Sequence, residues 1–234
     1  MAINIDTLKT RALTALVFVA VMLGALLWNE WTFLALFTLV HIGCWYEFIK
    51  LLKKIYGNRY LKYTLLGLLY ITLPICMMID LRMGLTNFKL DNTINYFGIT
   101  VPVIIIFSIW VNDTMAYLVG SVIGKTPFSK ISPKKTWEGT AGGAILCVLA
   151  IGFIFPILAP RYFQPFPQTQ IYFIIAAICA IFGTLGDLLE SKLKRMANIK
   201  DSGSIMPGHG GFLDRFDSFL IATPFVWLYL KLFV

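Results

Sequence analysis

Residues Phe97–Ile123 read FGITVPVIIIFSIWVNDTMAYLVGSVI. Apart from Asn112, Asp113 and a few hydroxyls the run is apolar, and it exceeds the roughly 20 residues a helix needs to cross the hydrocarbon core of a bilayer. The same texture recurs at Ala12–Trp28, Trp31–Trp45, Tyr63–Ile79, Gly139–Ala159, Ile171–Leu189 and Phe216–Val234, the second of these short and dependent on its flanks. Across 234 residues, 58% are hydrophobic and 14% are charged, with a mean hydropathy of +0.77. A soluble domain carries about 45–50% apolar and about 25% charged residues, so a cytosolic enzyme is excluded, and so is disorder. The expectation is an all-α polytopic membrane protein of about seven transmembrane helices.

Loop charges orient those helices. Lys9 and Arg11 precede the first span, and Lys50, Lys53, Lys54, Arg59 and Lys62 fill the loop after the second. Lys125, Lys130, Lys134 and Lys135, then Lys192, Lys194, Arg195, Lys200 and Arg215, crowd the same side. Of the 20 Lys and Arg residues only Arg82, Lys89, Arg161 and Lys231 remain for the other. The positive-inside rule makes the crowded side cytoplasmic, with the N-terminus inside and the C-terminus outside. The net charge of +8 therefore points first to topology and anionic lipid, and nucleic acid comes only second. Cys44, Cys76, Cys147 and Cys179 lie in apolar stretches without a C-x-x-C pair, which implies neither a disulfide framework nor a zinc site.

Chemistry-bearing residues gather after about residue 110. A mid-span Asp costs about 2.5–3.5 kcal/mol on insertion scales, so Asn112 and Asp113 are either a hydrogen-bonded pair between helices or the polar wall of a hydrated cavity. Between Gly124 and Gly139 the sequence reads GKTPFSKISPKKTWEG, in which lysines alternate with hydroxyls while Pro127 and Pro133 restrict the backbone. This composition suits a polyphosphate better than a diffuse lipid surface, although it lacks the glycine spacing of a Walker loop. Further on, Asp187, Glu190, Ser191 and Lys194 fall at i, i+3, i+4 and i+7, on one helix face. A polar loop follows, with Lys200-Asp201-Ser202-Gly203-Ser204 and Pro207-Gly208-His209-Gly210-Gly211, before Asp214, Asp217 and Ser218 open the last helix. Two helix ends would bring Asp187 and Asp214 towards each other among Lys194, Arg195, Lys200 and Arg215. Such carboxylates suit Mg²⁺, which binds through one or two carboxylates plus substrate phosphates. The bland alternative is a set of interhelical salt bridges, against which the density of the whole segment argues.

The segment resembles the phosphatidate cytidylyltransferases, the CDP-diacylglycerol synthases. The pattern is carried by Ser191, Lys194, Arg195, Lys200, Asp201, Gly203, Pro207, His209, Gly210, Gly211, Asp214, Arg215 and Asp217. Asn112-Asp113-Thr114 with Ala116-Tyr117, and Ile131 through Gly139, are similar to two upstream motifs of the family, and Trp45-Tyr46-Glu47-Phe48 is similar to its opening helices. The resemblance divides the chain into N-terminal transmembrane helices, 1–110, shortened relative to the family, and a catalytic transmembrane region, 111–234. It implies that the cytidylyl group of CTP passes to phosphatidate, giving CDP-diacylglycerol and pyrophosphate for phospholipid biosynthesis. As catalytic residues it implies Asp187, Asp214, Lys194, Arg195 and Asp217, and as metal ligands Asp187 and Asp214, for Mg²⁺ with room for a second cation. Substrate contacts fall to Lys134, Lys135, Ser191, Lys200, Asp201, His209, Arg215, Asn112 and Asp113. The implied partners are CTP, phosphatidate and membrane lipid, with no nucleic acid and a homodimer allowed. The implied location is a bacterial inner membrane with the site facing the cytoplasm. Two rival readings are a CTP-dependent polyprenol-type lipid kinase and an ion-coupled transporter using Asp113 and Asp187. The latter calls for two related halves that the sequence does not show.

Overall fold

The computed structural model describes residues 5–85, 98–158, 166, 168–205 and 210–234, with side chains from residue 12 onward. The chain divides into two compact units, Met1–Thr72 with Lys192–Phe216 and Leu73–Ser191 with Asp217–Val234. Among the described residues, six helical stretches are long and apolar enough to cross a membrane: Glu30–Arg59, Leu61–Met83, Thr100–Ile123, Trp137–Ile157, Gln170–Met196 and Leu213–Phe233. The apolar stretch Ala12–Leu27 precedes them, within a helix that begins at Ile5. The protein is thus an all-α polytopic membrane protein, as the apolar runs require.

In the first unit, α1 (Ile5–Leu27) turns at Trp28 and Asn29 into α2 (Glu30–Tyr56). Asn29 Oδ1 accepts the Thr32 amide at 2.8 Å and Thr32 Oγ1 accepts the Asn29 amide at 3.2 Å, a reciprocal cap that sets where α2 begins. Phe33, Phe37, Val40, Cys44, Phe48 and Leu51 then recur at helical spacing and are buried. The helix does not stop with its apolar run at Trp45. It carries Lys50, Lys53 and Lys54 in helical conformation as far as Tyr56 and ends at Gly57, whose φ of 54° favours glycine. After it, α3 (Leu61–Thr64) begins the next span.

The second unit contains α4 (Leu73–Met83), α5 (Thr100–Ile123), α6 (Trp137–Leu149), α7 (Phe155–Leu158) and most of α8 (Gln170–Met196) and α9 (Leu213–Phe233). Two spans contain a π-helical turn, at Leu68–Thr72 and at Ala150–Ile154. Each turn contains the residue four positions before a proline, Tyr70 before Pro74 and Gly152 before Pro156. Proline has no N–H to give that carbonyl and its ring crowds it, so the helix widens for one turn there. α5 and α6 approach closely because α6 presents Gly139 and Gly143. A Cβ at Gly143 would lie 2.6 Å from the Ala116 amide nitrogen. Small residues of this kind let transmembrane helices pack backbone to backbone. At the other end of the unit, Asp80 of α4 accepts from the Trp227 indole at 2.7 Å and pairs with Lys231 at 3.2 Å.

Candidate functional site

Two acid–base clusters stand out, one in each unit. In the second unit, Asp187 on α8 pairs through Oδ2 with the Lys135 ammonium and accepts from Ser191 Oγ through Oδ1 at 3.2 Å. The Asp187–Ser191 contact follows from their i, i+4 spacing. Lys135 arrives from the loop between α5 and α6, which is held by its own groups. The Phe128 amide donates to the Lys135 carbonyl at 2.8 Å, and the Trp137 amide donates to the Thr126 carbonyl at 2.9 Å. Glu138 accepts from the Lys125 amide at 3.1 Å and from Thr126 Oγ1 at 2.7 Å. The Phe128 and Trp137 rings meet edge to face at 4.4 Å, and Thr136 caps α6 by accepting the Gly139 amide at 3.1 Å. So pinned, the loop leaves Lys134 exposed and Lys135 turned to Asp187, whose side chain remains 27% exposed.

Asp217 also belongs to this unit. Its Oδ1 accepts the Ser218 amide at 2.6 Å, and α9 passes so close to α8 that a Cβ at Gly186 would lie 3.0 Å from Ser218 Cα. Asn112 on α5 is buried, and its Oδ1 has no hydrogen-bond partner among the described residues. Its neighbour Asp113 is exposed.

The first unit holds the more enclosed cluster. Asp214, in the first turn of α9, is only 6% exposed in its side chain. Its Oδ1 accepts from the Lys194 ammonium at 2.7 Å. Its Oδ2 accepts from the Gly211 amide at 2.7 Å and from the Ser202 amide and hydroxyl, each at 2.9 Å. Beside it lies a carboxylate from the first half of the chain, Glu47 of α2, 1% exposed. Glu47 accepts the Phe212 and Leu213 amides at 2.9 Å each and the Ser202 hydroxyl at 2.6 Å. A hydroxyl carries one proton, so Ser202 donates to Glu47 or to Asp214 at any moment. Both carboxylates thus occupy the N-terminal end of α9, where free amides and the helix dipole favour negative charge. Gly210 has a φ of 82°, and a Cβ there would lie 2.9 Å from Asp214 Cγ, so a larger residue is excluded on two counts. At Gly203 a Cβ would lie 2.8 Å from Glu47 Cδ, and at Gly211 it would collide with the Glu47 carboxylate.

In the first unit Arg195, Lys200, Asp201 and Arg215 are exposed. His209 lies outside the described residues, as do Pro207 and the loop charges Lys89 and Arg161. Three residues that organise these contacts receive no role from the sequence: Glu47, Ser202 and Glu138. Glu47 sits in a motif of aromatic residues near the end of an apolar run, and its partners lie over 150 residues away, the nearest at a separation of 155. Among the described residues no three His, Cys, Asp or Glu side chains gather tightly enough to hold a metal. The donor chemistry still fits a hard cation. Asp187 is partly exposed, and an ionised carboxylate has about four lone-pair sites. A cation at Asp187 or at Asp214 Oδ1 would have to complete its shell from water and ligand oxygens, which is how Mg²⁺ ordinarily binds.

A model of the cytidylyltransferase family matches residues 85–233, a stretch that contains every site residue expected from the sequence. The chain is 44% identical over 141 residues to the phosphatidate cytidylyltransferase of Bacillus subtilis (strain 168), covering 60% of this chain and 51% of that protein. With the Rickettsia bellii phosphatidate cytidylyltransferase the identity is 35% over 229 residues, covering 95% of this chain and 90% of the relative. It is also 35% identical over 183 residues to Arabidopsis thaliana phosphatidate cytidylyltransferase 5, chloroplastic, covering 72% of this chain and 44% of that protein. The match therefore spans about half of the Bacillus relative and nine-tenths of the Rickettsia one.

Proposed function

The chain belongs to the cytidylyltransferase family, and from that premise we propose that it transfers the cytidylyl group of CTP to phosphatidate at the cytoplasmic face of a membrane. A phosphomonoester oxygen of phosphatidate attacks the α-phosphorus of CTP, the new P–O bond forms, and the bond from that phosphorus to the bridging oxygen breaks, releasing pyrophosphate. The attacking oxygen already carries charge, so no Ser or Cys nucleophile is needed. What the protein must supply is alignment and compensation of charge. Bound Mg²⁺, with a second cation where one is present, would neutralise the triphosphate and polarise its phosphoryl oxygens.

The observation that carries this reading is the pair of lysine–aspartate contacts, Lys135 with Asp187 and Lys194 with Asp214, both within the family-matched stretch. In each, a carboxylate holds an ammonium in place for a phosphate oxygen to accept from, and the carboxylate is itself a hard ligand for a cation. Arg195, Lys200 and Arg215 add exposed positive charge, with Lys134 beside Lys135 on the pinned loop. Ser191 supports Asp187, while Asp201, Asp217, His209, Asn112 and Asp113 are assigned to the margins of the substrate site. The relatives' names favour this reading over a CTP-dependent lipid kinase.

Purified protein supplied with phosphatidate and CTP labelled at a single phosphorus tests it. Label from the α position should enter the lipid and label from the γ position should leave as pyrophosphate. Lipid labelled from γ would replace the proposal with the kinase reading.

A further inference from the structure

The face of α2 that carries Glu47 continues through Lys50, Leu51 and Lys54, at i+3, i+4 and i+7. Glu47 ties this face to the loop between α8 and α9 through the Phe212 and Leu213 amides and the Ser202 hydroxyl. One and two turns further on, Lys50 and Lys54 face the stretch Asp201–Ser204 across a cavity of about 160 Å³, with Leu51 and Ile199 completing its wall. A single water needs only about 10–15 Å³ measured this way, so the cavity has room for a multi-atom ligand. Its lining residues include two lysines and Ser204 against one acidic residue, Asp201. The Ser202 hydroxyl is already committed to Glu47 and Asp214.

We propose that this cavity is a phosphate-binding subsite in which Lys50 and Lys54 hold a phosphoryl group against the Asp201–Ser204 loop. A ligand with two or more negative charges and several acceptor oxygens matches two lysines, each a point charge with three donors, whereas the single charge of a carboxylate would offset only one of them. The positive-inside reading of this loop does not account for the arrangement. Lys53, between the two, turns elsewhere and lies 5.1 Å from the centroid of the Tyr60 ring. Neighbouring lysines on one helix thus have different surroundings, and Lys53 retains the topological role. Which phosphate enters, the polyphosphate of a nucleotide or product or the phosphomonoester head of a lipid, rests on the function proposed above. That the cavity binds phosphate does not.

The full-length protein in neutral detergent is titrated with inorganic pyrophosphate, and in nanodiscs it is compared in phosphatidate-containing and pure phosphatidylcholine bilayers. Lys50→Gln and Lys54→Gln should each weaken binding about tenfold or more in one of these two arms, which identifies the source of the phosphate. Lys54→Arg should retain most of the affinity, and Lys53→Gln should stay within about twofold. Unchanged melting temperatures confirm that the single variants fold. Pyrophosphate and lipid affinities that both ignore Lys50 and Lys54, or an equal loss at Lys53, would overturn the subsite. Lysine-dependent pyrophosphate binding by a protein that makes no CDP-diacylglycerol would sink the proposed function and leave the subsite standing.

Discussion

Replacing Glu47 by Gln removes a charge that three donors converge on: the Phe212 and Leu213 amides at 2.9 Å and the Ser202 hydroxyl at 2.6 Å. An amide keeps one acceptor oxygen and presents an NH₂ where the second oxygen stood, so at least one of the two backbone N–H groups at the start of α9 loses its partner. Hydrogen bonds to charged groups are worth about 1.5–3 kcal/mol, and an orphaned buried donor costs about 1–3 kcal/mol. The site is 1% exposed, so water does not compensate. Local opening of the α9 start should therefore become easier by about 1.5–3 kcal/mol, a factor of roughly 10 to 150 at 1.4 kcal/mol per decade. Hydrogen exchange in detergent reads this directly. The Phe212 and Leu213 amides should lose protection by that factor, while amides in the middle of α5 should not change. Ser202 should also be freed to donate to Asp214 alone, so the Asp214 contacts should outlast those of Glu47. Protection at Phe212 and Leu213 within twofold of wild type would refute the claim that the Glu47 carboxylate holds the start of α9.

Asp187→Asn and Asp214→Asn should each lower turnover more than a hundredfold, since loss of a metal-holding charge costs several kcal/mol; turnover within a few-fold in either variant removes that residue from the site. Their stabilities should diverge. Breaking the enclosed Lys194–Asp214 pair should cost about 3–5 kcal/mol in an unfolding titration, and breaking the partly exposed Lys135–Asp187 pair about 0–1 kcal/mol. Gly211→Ala should be more destabilising than an exposed Gly→Ala such as Gly24→Ala, because its Cβ would meet the Glu47 carboxylate while that of Gly24 meets nothing; equal melting temperatures would contradict the packing. A cysteine at position 204, which is exposed, should react with an impermeant maleimide only after the membrane is opened, and labelling of intact cells would invert the topology.

Membrane-spanning helices are legible because their length and apolarity are set by the solvent they cross, and six expected spans reappear as long apolar helices and the first within the helix Ile5–Leu27. Their ends are less legible, for a physical reason. The apolar criterion stops at the first charges, whereas the helix stops at a residue that breaks it. α2 runs past Lys50 and Lys54 to Gly57, and α8 runs past Lys194 and Arg195 to Met196, just before Asn198 with its φ of 52°. Those additional turns are not incidental, since they carry Lys50 and Lys54 to the cavity and Lys194 to Asp214. In the site, contacts within one helix could be read from its period, as with Asp187 and Ser191. Lys135 with Asp187, 52 residues apart, and Glu47 with Ser202, 155 apart, have no local period to announce them. The glycines show how the two kinds of information meet. Gly203, Gly210 and Gly211 in sequence alone mark a turn-prone loop, a weak signal. With Glu47 and Asp214 in place, each proves to be a position where a carboxylate lies against bare backbone. The loop needs its glycines because two acids have to reach the amides at the start of one helix, and one of those acids comes from α2.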